Sequence, residues 1–365
     1  MQILVVNAGS SSLRLRVLDD DDEVTATEDL PTIDPSRVGD EINAFLERSP
    51  PVDAAGHRVV HGGSLFIRPL VLDDAIDQTL GDLTALAPLH NPRSLAAIVA
   101  LRSLRPSLTQ VACFDTSFHA TMPAKAATYA VPRAWREVWG VRRYGFHGLS
   151  HAWASRRAAE LMDRPSTGLR LVTAHLGSGA SLAAVLSGCS VDTTMGFTPM
   201  EGLVMATRSG SIDPGVILWA QQRGGLSADA VEEALEHESG LLGLSGVSGD
   251  LRQVIHAADA GDEGSKLAYD VYVYRIQTHI ASMTTALGGI DGLVFTGGAG
   301  EASPRLRSDV CAGLGFLGVR VDDGPNQILD GGDGIVSPSG NGPTVLAVIA
   351  REDLEIARHV RDLLS

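Results

Sequence analysis

Six consecutive residues, Asn7-Ala8-Gly9-Ser10-Ser11-Ser12, follow directly on the apolar run Ile3-Leu4-Val5-Val6. Hydroxyls and backbone N–H groups turned inward at a glycine suit an anion, and the neutral amide oxygen of Asn7 suits a metal ion or its water. The same composition also makes an ordinary polar turn. In Arg58-Val59-Val60, period-two alternation predicts Arg58 and Val60 on one face, with Gly62-Gly63 leaving space beside it. A guanidinium next to an apolar side chain suits a small organic anion with a short hydrocarbon tail; it is equally a surface arginine beside a core valine. Asp115 stands with His119 at the carboxyl end of a strand at 109–114, as a metal or orienting site or as a local turn. His147 lies between Gly145 and Gly148, and Arg208 lies among small residues in 192–211, which lacks periodicity and reads as an ordered loop. Glu352 opens the terminal helix, where a carboxylate is usually a dipole partner; a metal role requires Asn7 nearby.

Together these groups favour phosphoryl transfer to a small carboxylate. A carboxylate is already ionised at neutral pH, so its attack on a γ-phosphate needs no general base. The reaction needs two mutually repelling anions neutralised by guanidinium groups and magnesium. On this reading Arg58 and Arg208 clamp the carboxylate and the planar phosphoryl group, and His147 donates to an equatorial oxygen.

The elements that position these groups alternate between strand and helix. Leu13 to Leu18 continues the first strand as a hairpin, and Asp19-Asp20-Asp21-Asp22 reads as a solvated turn before a third strand near 24–27. This predicts a mixed sheet, antiparallel at one side. Asn91 with Pro92 reads as the start of a helix, leaving His90 in the preceding turn. A strand at 169–175 runs into Leu176-Gly177-Ser178-Gly179-Ala180-Ser181 and a further strand, repeating the opening pattern. Two such hairpins suggest a duplicated fold holding a polyphosphate between its halves. Gly246-Val247-Ser248-Gly249-Asp250-Leu251-Arg252 leads into a helix. A long helix at 263–287 is expected to bury Leu267, Val271, Tyr274 and Thr278, and Phe295-Thr296-Gly297-Gly298-Ala299-Gly300 is strand, glycine turn and helix. The glycine turn at 297–300 is not G-x-G-x-x-G, and no G-x-x-x-x-G-K-[ST] occurs in the chain.

With 365 residues, two domains are expected. A formal net charge of -15 argues against a nucleic-acid surface but leaves room for a local basic pocket. Three scattered cysteines and no C-x-x-C suggest a reduced, cytoplasmic protein, and no run of 18 apolar residues suggests a membrane span. The 11 histidines give no compact zinc set, and His57 and His61 lack the glutamate of H-E-x-x-H, which disfavours a metallohydrolase.

Seven blocks carry a resemblance: V-V-N-A-G-S-S-S-L-R at 5–14, G-H-R-V-V-H-G-G at 56–63, L-A-P-L-H-N-P at 86–92, F-D-T-S-F-H-A-T-M-P at 114–123, R-R-Y-G-F-H-G-L-S-H at 142–151, D-T-T-M-G-F-T-P-M-E-G-L at 192–203 and V-F-T-G-G-A-G-E at 294–301. In this order, across nearly the whole chain, they resemble the acetate kinase family. The resemblance implies an α/β fold of two ribonuclease-H-like domains of the actin and sugar-kinase type, with mixed five-stranded sheets, flanking helices and an active site in the interdomain cleft. It implies a first domain at 1–148 joined by helix 353–365, carrying the carboxylate and phosphate side. A second domain at 149–352 would carry the nucleotide side and the dimer interface. The implied activity is ATP-dependent, reversible phosphorylation of acetate by direct in-line transfer, with Mg2+ (Mn2+ as substitute) and ATP/ADP, in a cytoplasmic homodimer without nucleic-acid or membrane partners. Propionate or butyrate as substrate, and a non-catalytic nucleotide-binding regulator, are the alternatives.

Carried onto this sequence, the resemblance gives Asn7 and Glu352 to magnesium. Ser10, Ser12 and Arg14 fall near the phosphates; Arg58, Asp115, His147 and Arg208 fall to catalysis. Val60, Leu89 and Pro199 form a methyl pocket, with His90 close by. His175, Gly177, Ser178 and Gly179 meet phosphate, and Asp250, Leu251, Arg252, Gly298, Ala299, Gly300 and Ala302 surround the nucleotide. Ser178 and Ala302 stand where the family usually has Asn, Arg14 where it has Lys, and Ala350-Arg351-Glu352-Asp353-Leu354 departs from the usual P-T-N-E-E-L while keeping its first Glu. The 19–55 region is also shorter than usual.

Overall fold

Strand β1 (Ile3–Ala8) shows how the first sheet is filled on both sides. Leu4, Val6 and Ala8 point one way, into a cluster with Ile42 and Phe45 of helix Val38–Arg48 and Ala97 and Leu101 of helix Asn91–Leu104. Ile3 and Val5 point the other way, onto Ile356, Ala357 and Val360 of the terminal helix Glu352–Leu364. Ile356 and Val360 are fully buried. At about 1.5–3 kcal/mol each, such side chains fix the far end of the chain beneath its first strand.

The structure, a computed structural model, describes residues 1–9, 12–31, 34, 37–86, 91–329, 332–340 and 342–365. The remaining strands are β2 (Ser12–Leu18), β3 (Val24–Pro31), β4 (Ala54–Val59), β5 (Leu70–Val71), β6 (Thr109–Phe114), β7 (Arg170–Leu176), β8 (Ala180–Leu186), β9 (Cys189–Thr193), β10 (Gly292–Thr296), β11 (Gly334–Ile335) and β12 (Thr344–Ala347). They form two six-stranded sheets, β3-β2-β1-β4-β6-β5 and β9-β8-β7-β10-β12-β11. In each, three central strands run parallel (β1, β4, β6; β7, β10, β12), a two-hairpin meander flanks them, and a two-residue strand closes the far edge antiparallel. The two sheets therefore repeat one topology. The expected five strands become six because each sheet adds that two-residue strand, too short to leave a periodic signal.

Both turns of the repeated motif close on glycine: Gly9 N donates to Ser12 O at 2.8 Å, and Gly177 N to Gly179 O at 3.0 Å. The chain divides into one unit of Met1–Ala120, Phe146–Trp153 and Arg351–Ser365, and another of Thr121–Gly145 and Ala154–Ala350. This division places 121–145 in the second unit and 149–153 in the first, whereas the sequence predicts one boundary after 148. All three cysteines are free thiols. No described helix is long and apolar enough to cross a membrane.

Three local expectations are corrected. On helix Glu263–Leu287, Leu267 and Tyr274 are exposed, and the buried stripe is Tyr269, Tyr272, Val273, Ile276, Ile280, Met283 and Leu287. The helix carries two apolar stripes, and only the second runs its full length. Asn91 does not act as a helix cap through its side chain. Its amide is buried and spent on the backbone of His61, accepting from His61 N at 3.1 Å and donating to His61 O at 3.0 Å. Strand β4 ends at Val59, so Val60 lies just beyond the ladder, where it is buried.

Candidate active site

Because β1, β4 and β6 are adjacent and parallel, their carboxyl ends lie side by side, the usual ligand edge of such sheets. Asn7 is the penultimate residue of β1, Arg58 that of β4, and Asp115 directly follows β6. Arg58 donates to Asp115 through Nη2 at 2.7 Å and Nε at 3.1 Å, and to Asn7 Oδ1 through Nη1 at 3.2 Å. Asn7 Nδ2 in turn donates to Glu352 Oε2 at 2.9 Å, and that carboxylate is 3.6 Å from Arg58 Nη1. The sequence-separated residues 7, 58, 115 and 352 thus form one network of a guanidinium, two carboxylates and an amide.

Asp115 is fully buried. Burial pushes its carboxyl above the ordinary range, against the opposing pull of Arg58 and a backbone N–H from Leu149. For Arg58, burial alone would weaken proton binding, but Asp115 and Glu352 outweigh it and the net shift is upward. Arg58 is therefore a fixed cation, oriented by Asp115. His119, the other candidate partner of Asp115, instead places Nε2 3.0 Å from the carbonyl of Phe146.

The Leu149 N–H reaches Asp115 because Gly148, which opens helix Gly148–Leu161, packs against the Asp115 carbonyl, where any β-carbon would collide. The preceding His147 has φ 56, in the left-handed region that a non-glycine residue rarely adopts. Such strain is concentrated at functional positions. Arg14 pairs opposite Asn7 across β1 and β2 and is exposed.

In the second unit, Arg208 sits on an irregular segment between β9 and helix Pro214–Gln222. Its Nη1 donates to Pro199 O at 3.2 Å and lies 3.8 Å from Met205 Sδ. Burial lowers its proton affinity, and Glu236 opposes this from a distance. Among the described residues no carboxylate forms an ion pair with it. Ala206, two residues earlier, donates its N–H to Ser178 O at 3.1 Å in the second glycine hairpin. Gly249, beside Asp250, packs against the Ala206 carbonyl. The structure therefore gathers the Arg208 segment, the 177–179 hairpin and the 246–250 turn. His175 occupies in β7 the position that Asn7 has in β1, two residues before the turn glycine.

Asp250 caps its own helix, accepting from Arg252 N at 2.8 Å, and its carboxylate is held low by the Arg252 guanidinium at 2.7 Å. Leu251 is buried. Gly298 and Ala302 are exposed on the helix Gly297–Ala302, and the Gly300 carbonyl accepts from the buried Arg307 at 2.8 Å. Ser12 is half-buried at the start of β2 and Pro199 is buried. Ser10, Leu89 and His90 lie outside the described residues.

The profile of the acetokinase family matches residues 36–358. The chain belongs to that family. It is 42% identical to an acetate kinase of Clavibacter sepedonicus, over 98% of this chain and 97% of that one. Its structure is similar to that of Porphyromonas gingivalis acetate kinase, with TM-score 0.92 and 36% identity over 100% of both chains. It is also similar to a propionate kinase from Francisella tularensis, with TM-score 0.90 and 33% identity over 99% of both.

Acetokinase membership implies use of Mg2+ and ATP. Among the described residues no three His, Cys, Asp or Glu side chains are placed to hold a metal ion. Magnesium does not need such a cage: it retains waters and binds through one or two protein oxygens plus phosphate. The amide oxygen of Asn7, which accepts from Arg58 Nη1 at 3.2 Å, and the carboxylate of Glu352, which accepts from Asn7 Nδ2 at 2.9 Å, are hard oxygen donors that fit it. Beside Pro199 this acetokinase holds a cluster of Arg143, Tyr129 and Glu201 that the sequence alone does not signal. Arg143 and Glu201 are 58 residues apart, and no periodicity links a turn to a loop.

Proposed function

We propose that this chain is an acetate kinase that interconverts acetate and acetyl phosphate with ATP and ADP by direct in-line transfer. Arg208 carries the reading. A guanidinium drawn partly out of water, with a carbonyl and a sulfur as its hydrogen-bond partners, is stabilised by an incoming anion. Arg58, already oriented by Asp115, holds the substrate carboxylate, and Arg208 stabilises the charge spread over the transferring phosphoryl group. His147 donates to an equatorial oxygen from its strained turn. No residue is needed as general base, since the attacking carboxylate is ionised. Asn7 and Glu352 hold magnesium, which when bound neutralises phosphate charge. Ser10, Ser12, Arg14, His175 and the 177–179 hairpin serve the phosphates. Asp250, Leu251, Arg252 and the 298–302 segment serve the nucleoside, and Val60, Leu89, His90 and Pro199 receive the methyl group.

Each unit is read as a ribonuclease-H-like module, supported by the repeated strand order. A homodimer is supported by helix Pro214–Gln222, which has no buried residue and exposes Val216, Leu218 and Trp219. The similarity to a propionate kinase keeps longer acids in view, because one methylene changes binding by only about 1–3 kcal/mol. The test is trapping of acyl phosphate as hydroxamate with acetate, propionate and butyrate, each with Mg2+-ATP. Acetate is expected to have the highest kcat/KM; equal values for acetate and butyrate would overturn the narrow assignment.

A further inference from the structure

From Thr194 to Asp213 the chain forms no helix or strand, so its backbone groups must find partners elsewhere. Arg143 supplies them for one leg: its Nη1 donates to the carbonyls of Thr193, Thr194 and Met195 at 3.1, 2.9 and 3.2 Å. Its Nη2 donates to Glu201 Oε1 at 2.7 Å. The other Glu201 oxygen accepts from the Tyr129 hydroxyl, which itself accepts from Phe197 N at 3.0 Å. Arg143 also lies over the Tyr129 ring, 5.4 Å from its centroid. Gly196 makes the arrangement possible, because a β-carbon there would occupy the space of the Glu201 carboxylate and the Tyr129 hydroxyl.

Pro199 is thereby held from both sides, between Phe197 and Glu201, and its carbonyl is the oxygen to which Arg208 donates. The charge of Glu201 is spent on Arg143, at 2.7 Å. We propose that Glu201 is a positioning residue for the reaction: gripped by Arg143 and Tyr129, it sets the Pro199 carbonyl and through it the Arg208 guanidinium. This rests on the phosphoryl-transfer reading above and concerns how its unpaired arginine is aimed.

The test is Glu201→Gln, alone and combined with Arg208→Ala, in steady-state assays of acetyl phosphate formation. The amide keeps the shape but loses the charged grip on Arg143. We expect kcat to fall about 10- to 100-fold, the KM for ATP to stay within about twofold and the thermal midpoint to stay near wild type. In the Arg208→Ala background, adding Glu201→Gln should change kcat less than about twofold, because both act through one group. A wild-type kcat in folded Glu201→Gln, or the full loss recurring on top of Arg208→Ala, would overturn the proposal. Should the Gln variant not fold, Tyr129→Phe removes the other grip and must show the same non-additivity. Wild-type protein that formed no acetyl phosphate would instead sink the functional reading.

Discussion

Arg58 and Arg208 are assigned to one reaction, but the structure places them in opposite electrostatic states, and their alanine variants should diverge. Arg58→Ala strands the fully buried Asp115, whose guanidinium partner stands at 2.7 Å. Breaking one side of a buried pair costs about 3–5 kcal/mol. At roughly 2–4 °C per kcal/mol for a domain of 150–250 residues, the unliganded protein should melt about 6–20 °C lower. Arg208→Ala breaks no ion pair and removes a desolvated charge whose one hydrogen bond to a carbonyl is 3.2 Å long. Its melting temperature should stay within about 2 °C of wild type or rise, while kcat falls about 10²–10³-fold, the usual loss for a donor aimed at transition-state charge. Paired measurements by scanning calorimetry and a coupled kinase assay check this. A large loss of stability in Arg208→Ala, or near-normal turnover, would refute the argument that its charge awaits an anion.

Other consequences are as direct. His57 is buried with its Nε2 2.8 Å from Gln110 Oε1, and burial lowers its pKa to about 4. Because the folded value lies below the unfolded value of about 6.5, the unfolded chain binds the proton first. This contribution to stability is complete above pH 6.5 and is lost as pH falls toward 4, by roughly 3 kcal/mol. Denaturant titrations should show that acid limb flattened in His57→Gln; an unchanged limb would place the sensitivity elsewhere. Val60→Ala should cost about 2 kcal/mol of stability and shift kcat/KM toward propionate and butyrate, and unchanged preference would locate the methyl pocket away from Val60. Trp219→Glu should convert a dimer to a monomer in light scattering, whereas a dimer that persists would exclude that helix from the interface.

Much of this fold was legible because its signals are local. The two strand–glycine–strand hairpins at 3–18 and 170–186 are short-range patterns, and they mark equivalent places in two sheets of one topology. Asn7, Arg58 and Asp115 were legible for a related reason: residues at the ends of adjacent parallel strands converge whatever lies between them in sequence. What failed was non-local choice. Leu267 and Tyr274 have helical spacing as good as the true stripe, and only the packed partner decides which face is covered. Asn91 has the chemistry of a cap but found the His61 backbone. The two-residue strands β5 and β11 exist only because a neighbour is there to pair with them. Arg143 stands in the R-R-Y-G-F-H-G block, yet its grip on the 193–195 carbonyls depends on a loop whose course leaves no periodic trace.

The most direct measurement of the central claim is synthesis of ATP from ADP and acetyl phosphate by the purified protein with Mg2+, beside its Arg208→Ala variant. The account predicts rapid, magnesium-dependent ATP formation by the wild type and a loss of at least about 10²-fold in the variant. Tight binding of ADP without ATP formation by the wild type would contradict it.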